Sequence, residues 1–390
     1  MSKLKILLIL LALLGPGVVS LGRSGGVGDP AHAATADALM RRVRSELSVF
    51  TDWLLRNGAE GYIGEVGWPD NVHGDSWKWN ALAEQWYGDA DAAGLWVTAW
   101  STGEWWGKAY PLAVYEDRWT GTGVDSLNPQ AAVIERHDSL PGLLRGVNVA
   151  GGEFAAPTSQ SSSPFSNANP GTLGVEYHYD GSATFSFLAR RGVELVRIPF
   201  RWERLQPELG KALAGDELDR LRAVLGRAGA AGLKVVLDMH NYGAYYLADG
   251  TSGVRRPIGS PELPVWRFAE IWGRIASNFK NEPAVVGYGL MNEPVGLPSV
   301  KGLTPSQVWE RASQEAVTRI RGTGDRKVVL VAGYNWSGVQ NWSANHPSDW
   351  ITDPAGNVRY EAHHYWDRDN SGDYPDSYTA EVADAAGRGY

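Results

Sequence analysis

The chain has 390 residues, 43% of them hydrophobic and 21% charged, with a formal net charge of −8 and no cysteine. That size and apolar content suit a globular protein with a large core, and an α/β barrel routinely spends about 250 residues or more on one domain. The acidic balance speaks against a nucleic-acid partner, which needs a basic face. The lack of cysteine excludes disulfides, thiolate-bound zinc and thiol nucleophiles.

In chain order, Lys3 and Lys5 precede an apolar run from Ile6 to Leu14, and Ala31-His32-Ala33 offers a small-residue cleavage site. The pattern predicts a signal peptide and flexible leader over 1–33. The run is shorter than the ~20 residues a membrane span needs, so the mature chain is expected to be secreted and off the membrane. Leu39, Val43, Leu47, Phe50 and Leu54 then repeat at helical spacing over 37–56. Strand-like runs follow at 61–66, 95–100, 143–149, 193–199, 233–239, 285–291, 327–332 and 358–363. Helical patterns occupy 216–231, 262–281, 304–322 and 376–386. Residues 153–180, rich in Ser, Asn, Pro and Tyr, read as a long loop of the kind that builds a cleft. Eight strands alternating with helices predict a parallel sheet closed into a single (β/α)8 TIM barrel.

Polar and aromatic residues cluster just past these runs: Glu65, Trp100, Arg197, His240-Asn241-Tyr242, Asn292-Glu293, Asn335-Trp336 and His363-His364-Tyr365. Strand ends at the C-terminal face are where a barrel of this kind carries its chemistry. Glu65 and Glu293 each end a strand-like run and enter an aromatic loop. Two carboxylates presented in this way are what glycoside hydrolysis requires, one as acid/base and one as nucleophile. The 18 tryptophans and 16 tyrosines fit stacking against sugar rings better than they fit a core alone. No side-chain spacing suggests a metal site: His363 and His364 are neighbours on a strand and point to opposite faces. Neither a metal nor another cofactor is expected.

These motifs resemble the endo-β-1,4-glucanase (cellulase) type of glycoside hydrolase family 5. The segments are Arg145-Gly146-Val147-Asn148-Val149-Ala150-Gly151, Arg197-Ile198-Pro199-Phe200-Arg201-Trp202-Glu203-Arg204, Leu237-Asp238-Met239-His240-Asn241-Tyr242, Leu290-Met291-Asn292-Glu293-Pro294 and Glu361-Ala362-His363-His364-Tyr365-Trp366-Asp367. Two more lie nearer the N-terminus: Ile63-Gly64-Glu65-Val66-Gly67 and Trp100-Ser101-Thr102-Gly103-Glu104-Trp105-Trp106-Gly107. In the family those last two belong to strands seven and eight. Here they come first, so the resemblance implies a circularly permuted barrel, with strands 7–8 and their helices in 34–136, a join at 137–142, and strands 1–6 in 143–390. A closed barrel tolerates such a change because strand eight neighbours strand one.

The resemblance implies Glu293 as general acid/base and Glu65 as nucleophile of a retaining double displacement. It places Arg197, His240, Asn292, His363 and Tyr365 around the sugar in subsite −1, with Arg197 orienting Glu65, Tyr365 bonding it and Asn292 meeting the 2-hydroxyl. Trp100 would be the stacking platform there, with Trp105, Trp106 and Trp336 as looser candidates for flanking subsites. Asp238 is expected to support the barrel. The partner implied is a β-linked polysaccharide, acted on by a monomer. A mannanase or other β-glycanase of the same fold, and an inactive carbohydrate-binding barrel, are the alternative readings.

Overall fold

Eight parallel strands close on themselves in the computed structural model, which describes residues 37–106, 110–118, 121–137 and 140–390. The expected leader, 1–33, and residues 138–139 of the expected join lie outside these. The strands are β1 (Glu60–Gly67), β2 (Trp96–Thr102), β3 (Arg145–Val149), β4 (Leu195–Phe200), β5 (Lys234–Met239), β6 (Val285–Gly289), β7 (Val328–Ala332) and β8 (Val358–Tyr365). Each pairs with the next, and β1 pairs with both β2 and β8, which closes the ring. Register at the closure runs from Glu60↔Arg359 to Gly67↔Tyr365. All eight expected strands are present, within two residues at each end.

The described helices are α1 (Ala38–Asn57), α2 (Ser76–Ala92), α3 (Ser182–Arg190), α4 (Gly215–Ala230), α5 (Val265–Phe279), α6 (Pro305–Arg321) and α7 (Tyr378–Gly387), with shorter turns between them. Helix α1 begins at an Asp37 side chain that accepts from Met40 N, and ends at Gly58, whose φ of 61° suits a residue without a Cβ. Helix α6 begins with a full capping box between Thr304 and Gln307. Helices α2 and α3 add to the set expected from sequence. Residues Trp79, Leu82, Ala83, Trp86, Tyr87 and Ala90 of α2 face inward at three- and four-residue spacing. An antiparallel hairpin, Ala244–Asp249 with Ser252–Pro257, also adds to it; Ser162–Ser163 of the long loop joins its edge.

Most of the core lies between barrel and helices. Trp53, Trp68, Trp79, Trp86, Trp202, Trp272, Trp309, Trp342 and Trp366 are fully buried there, half of the eighteen in the chain. This corrects the reading of the tryptophan excess as mainly sugar stacking: half of it is barrel–helix packing, where a large ring fills volume and excludes water. Inside the barrel, Tyr62, Trp96, Leu144, Leu195, Val236 and Leu330 form a separate apolar cluster at the N-terminal end. The side-chain period of two then sets what lies above it. Leu195 gives way to Arg197, Val236 to Asp238 and His240, and on β8 Glu361, His363 and Tyr365 follow one another along the inner face.

Candidate active site

Arg197 is the hub of the mouth. Its side chain is fully buried, and its Nη1 lies 3.0 Å from Glu65 Oε1. Nη1 also donates to Asn148 Oδ1 at 2.9 Å, and Nη2 donates to Asn292 Oδ1 at 2.8 Å. Asp238 Oδ1 and Glu361 Oε1 each lie 3.0 Å from Nη2. One guanidinium thus meets three carboxylates, in the fork geometry that suits arginine better than lysine. Glu361 fits beneath because position 64 is glycine; a Cβ there would overlap its Oε1. Burial opposes the charge of Glu361, but Arg197 and His363 outweigh it and hold its pKa below the usual value. Burial raises Asp238 to about 7 despite Arg197.

Glu65 sits on β1, at a register irregularity beside His363. Tyr365 donates from its hydroxyl to Glu65 Oε2 at 2.7 Å. Glu293 lies just past β6 at φ 44°, a conformation uncommon for a residue with a Cβ. Backbone bonds from Asn292 N to Met239 O (2.8 Å), Tyr242 N to Asn292 O (3.1 Å) and Asn335 N to Pro294 O (2.9 Å) hold that turn from both sides. Glu293 Oε1 is 2.8 Å from His363 Nδ1. One oxygen of Glu65, one of Glu293 and a nitrogen of His363 all lie within 4.8 Å of one another.

Charge follows from this packing. Burial raises the pKa of Glu293, and Glu65 adds to the effect, while His363 opposes it. Burial works against a charged His363, yet Glu65, Glu293 and Glu361 together lift it to about 10. An imidazolium therefore takes the cation's place among these three groups at neutral pH. His240 shows the opposite pattern: burial pushes its pKa well down. Its Nδ1 faces Asp238 Oδ2 at 2.8 Å, and its Nε2 faces Asn292 Nδ2 at 3.1 Å and the Tyr242 hydroxyl at 3.1 Å. A neutral ring that donates from Nδ1 satisfies the Asp238 and Asn292 contacts.

Trp100 stacks on the His240 ring at 5.7 Å, and its Nε1 donates to the Tyr110 hydroxyl at 2.8 Å. The Trp100–Ser101 peptide is cis. Trp100, His240 and Tyr242 line both halves of one cleft. One half, about 590 Å³, holds Glu65, Glu293, Asn335, Trp336, His363 and Tyr365. The other, also about 590 Å³, holds Trp105, Trp106, Glu153 and Phe154. All eight site residues expected from sequence converge on this mouth. His364 points away from it, toward Glu46 at 3.2 Å and Trp86. Sequence reasoning gave no role to Tyr242, Tyr110, Glu361 or Glu153, although Tyr242 and Glu361 lie in the quoted motifs, two residues from expected site residues. A larger open groove, about 980 Å³, lies across α5 and α6. Its Glu270 and Glu315 are paired with arginines of their own helices, so it offers no facing carboxylates.

The family described as Cellulase (glycosyl hydrolase family 5) matches residues 154–388. The manganese dependent endoglucanase Eg5A of Phanerodontia chrysosporium is 30% identical over 246 residues, 61% of this chain and 57% of its own. Endoglucanase gh5-1 of Neurospora crassa is 27% identical over 245 residues, 61% of this chain and 54% of its own. This chain thus spans less than two thirds of the length of these curated relatives. Among solved structures, Pseudomonas stutzeri endoglucanase Cel5A in complex with cellobiose is 36% identical with a TM-score of 0.50, covering 59% of this chain and 62% of that one. XacCel5A in complex with cellopentaose is 32% identical with a TM-score of 0.50, covering 61% and 72%.

Proposed function

The chain belongs to glycosyl hydrolase family 5, and from that premise we propose that it is a retaining endo-β-1,4-glucanase with Glu293 as general acid/base and Glu65 as nucleophile. The observation that carries this reading is the spacing of the two carboxylates. Their nearest oxygens lie within 4.8 Å, against carboxyl separations of ~5–5.5 Å for retention and ~6.5–9.5 Å for inversion.

In the first step Glu65 attacks the anomeric carbon while Glu293 gives its proton to the leaving glycosidic oxygen. Its raised pKa keeps that proton available. Arg197 and Tyr365 hold the two oxygens of Glu65, one each, which fixes the angle of attack. In the second step the Glu293 carboxylate takes a proton from water, and the water oxygen displaces Glu65 from the sugar. Asn292, braced by Arg197 and His240, meets the 2-hydroxyl, and Trp100 stacks beneath the ring. The likeness to structures holding cellobiose and cellopentaose supports a β-glucan as substrate.

The permuted order is part of the proposal. Strands β1 and β2 precede residue 154, where the family match begins, yet they complete the ring and bring Glu65 and Trp100 to the mouth. Helices α7 and α1 pack together where the family has one connection. The Tyr378 hydroxyl donates to Asp37 Oδ2 at 2.8 Å, and Arg41 Nη2 donates to Tyr390 O at 2.9 Å. Residues 34–390 then act as one catalytic domain, and since one chain supplies every site residue, a monomer suffices. Export rests on the pattern of residues 1–33; no described helix is long and apolar enough to cross a membrane.

Reducing-end release from carboxymethylcellulose and from mannan tests the reading. We expect release from the glucan, lowered by a factor of about 10²–10⁴ in Glu293→Gln. Release from mannan alone would reassign the substrate. Oligosaccharide binding without release from either polymer would indicate an inactive binding barrel.

A further inference from the structure

A second group of metal-ligating side chains lies on the rim of the mouth, apart from the paired glutamates. Glu104 follows β2, and His178 and Asp180 close the long loop after β3. One ligating atom from each lies within 4.8 Å of the other two. His178 Nε2 is 2.7 Å from Glu104 Oε2 and 3.9 Å from Asp180 Oδ1, so a single nitrogen faces both carboxylates.

The donors are already held in place. Glu104 Oε1 accepts from Gly181 N at 2.8 Å and Thr184 Oγ1 at 2.7 Å, which leaves Oε2 turned to His178. Asp180 is 1% exposed. Among the described residues its carboxylate has a single hydrogen-bond donor, the Glu104 N–H, divided between its two oxygens at 3.3 and 3.1 Å. Burial and the nearby Glu104 push its pKa well up. At the catalytic pair, Arg197 and a protonated His363 balance such crowding. Here His178 is the one basic side chain within ion-pair distance among the described residues.

We propose that Glu104, His178 and Asp180 form a site for a divalent transition-metal cation of the Zn²⁺ class. One imidazole and two carboxylates make a mixed nitrogen–oxygen set of the kind such ions take, with an open position for water. Bond lengths of ~2.0–2.2 Å bring such donors to about 3–4 Å from one another, close to the present triangle. Sequence spacing could not suggest this set, because its members come from two loops.

The site has a consequence for the cleft. Trp105 follows Glu104 directly, and its ring stacks on His178 at 5.0 Å and 11°. A bound ion ties the β2 and β3 loops together under that ring and fixes one wall of the cleft half that contains Trp106 and Phe154.

The test is to equilibrate the metal-stripped full chain with Zn²⁺ alone, desalt it, and measure bound zinc and thermal unfolding. We expect one retained equivalent and a Tm that climbs with free Zn²⁺. Glu104→Gln, which keeps the side-chain shape, and His178→Ala should each weaken binding at least about tenfold, while Glu65→Gln binds as wild type does. No retained zinc would overturn the proposal. Zinc that survives Glu104→Gln and His178→Ala but is lost in Glu65→Gln would move the ion to the catalytic group and overturn it equally. Bound metal is the readout, so a chain without glucanase activity tests the proposal just as well.

Discussion

Replacing Arg197 by methionine isolates the charge at the hub of the mouth. The guanidinium contacts Glu65, Asp238 and Glu361, each at 3.0 Å, with no solvent exposure of its own. Removing one partner of a buried ion pair costs about 3–5 kcal/mol, because the charge left behind is uncompensated. The pH dependence carries a sign. In the wild type the Glu361 pKa is held below its ordinary value, so its contribution to stability is complete above the unfolded carboxylate pKa of ~4.3 and is lost as pH falls through the lowered folded value. In Arg197→Met only His363 is left to oppose burial at Glu361, and its folded pKa rises above the unfolded one. That penalty is full at neutral pH and is relieved as the pH drops and the carboxyl takes up a proton. Urea unfolding at pH 7 and pH 5 measures both effects. The stability gap between wild type and Arg197→Met should be about 3–5 kcal/mol at pH 7 and narrower at pH 5. A gap under ~1 kcal/mol, the range of an exposed pair, or one that widens on acidification, would refute the reasoning.

Tyr365→Phe removes the 2.7 Å bond to Glu65; a hydrogen bond to a charged group is worth ~1.5–3 kcal/mol, so kcat on an aryl cellobioside should fall about 10–100-fold. His363→Asn takes a positive charge from Glu293, whose pKa His363 lowers. The alkaline limb of kcat/KM should therefore move to higher pH, and a downward move would contradict the pairing. Trp336, 39% exposed in the cleft, should matter for binding rather than chemistry. Stacking that covers about 50 Å² at ~25 cal/mol per Å² predicts a KM for cellopentaose about tenfold higher in Trp336→Ala, with kcat unchanged.

Much of the fold is legible in the sequence because each barrel strand is a short apolar run that ends in polar residues. The period of two explains why His363 and Tyr365 enter the mouth while His364 turns out to Glu46. It also explains why Arg197, one pleat above Leu195, lands beneath the carboxylates. What stayed hidden depends on packing between distant segments. Composition could not separate Trp86 and Trp366, packed against each other in the core, from Trp100 and Trp336 in the cleft. Helix α2 carries a regular inward stripe, but Gly88 and the exposed Trp77 interrupt its pattern. The hairpin loop Gly250-Thr251, between the paired Asp249 and Ser252, carries a glycine at its first position, yet its flanking strands lack clean alternation. Glu361 and Asp238 read as ordinary strand residues until Arg197 is seen between them.

The central claim is that Glu65, from the first strand in the chain, is the nucleophile facing Glu293. Azide rescue of Glu65→Ala tests it most directly, on a cellobioside with an activated leaving group and with the product read by NMR. Azide should restore turnover and give the α-glycosyl azide, since it enters from the face that Glu65 vacated. Turnover in Glu65→Ala equal to wild type without azide, or a β-glycosyl azide as the product, would contradict the account.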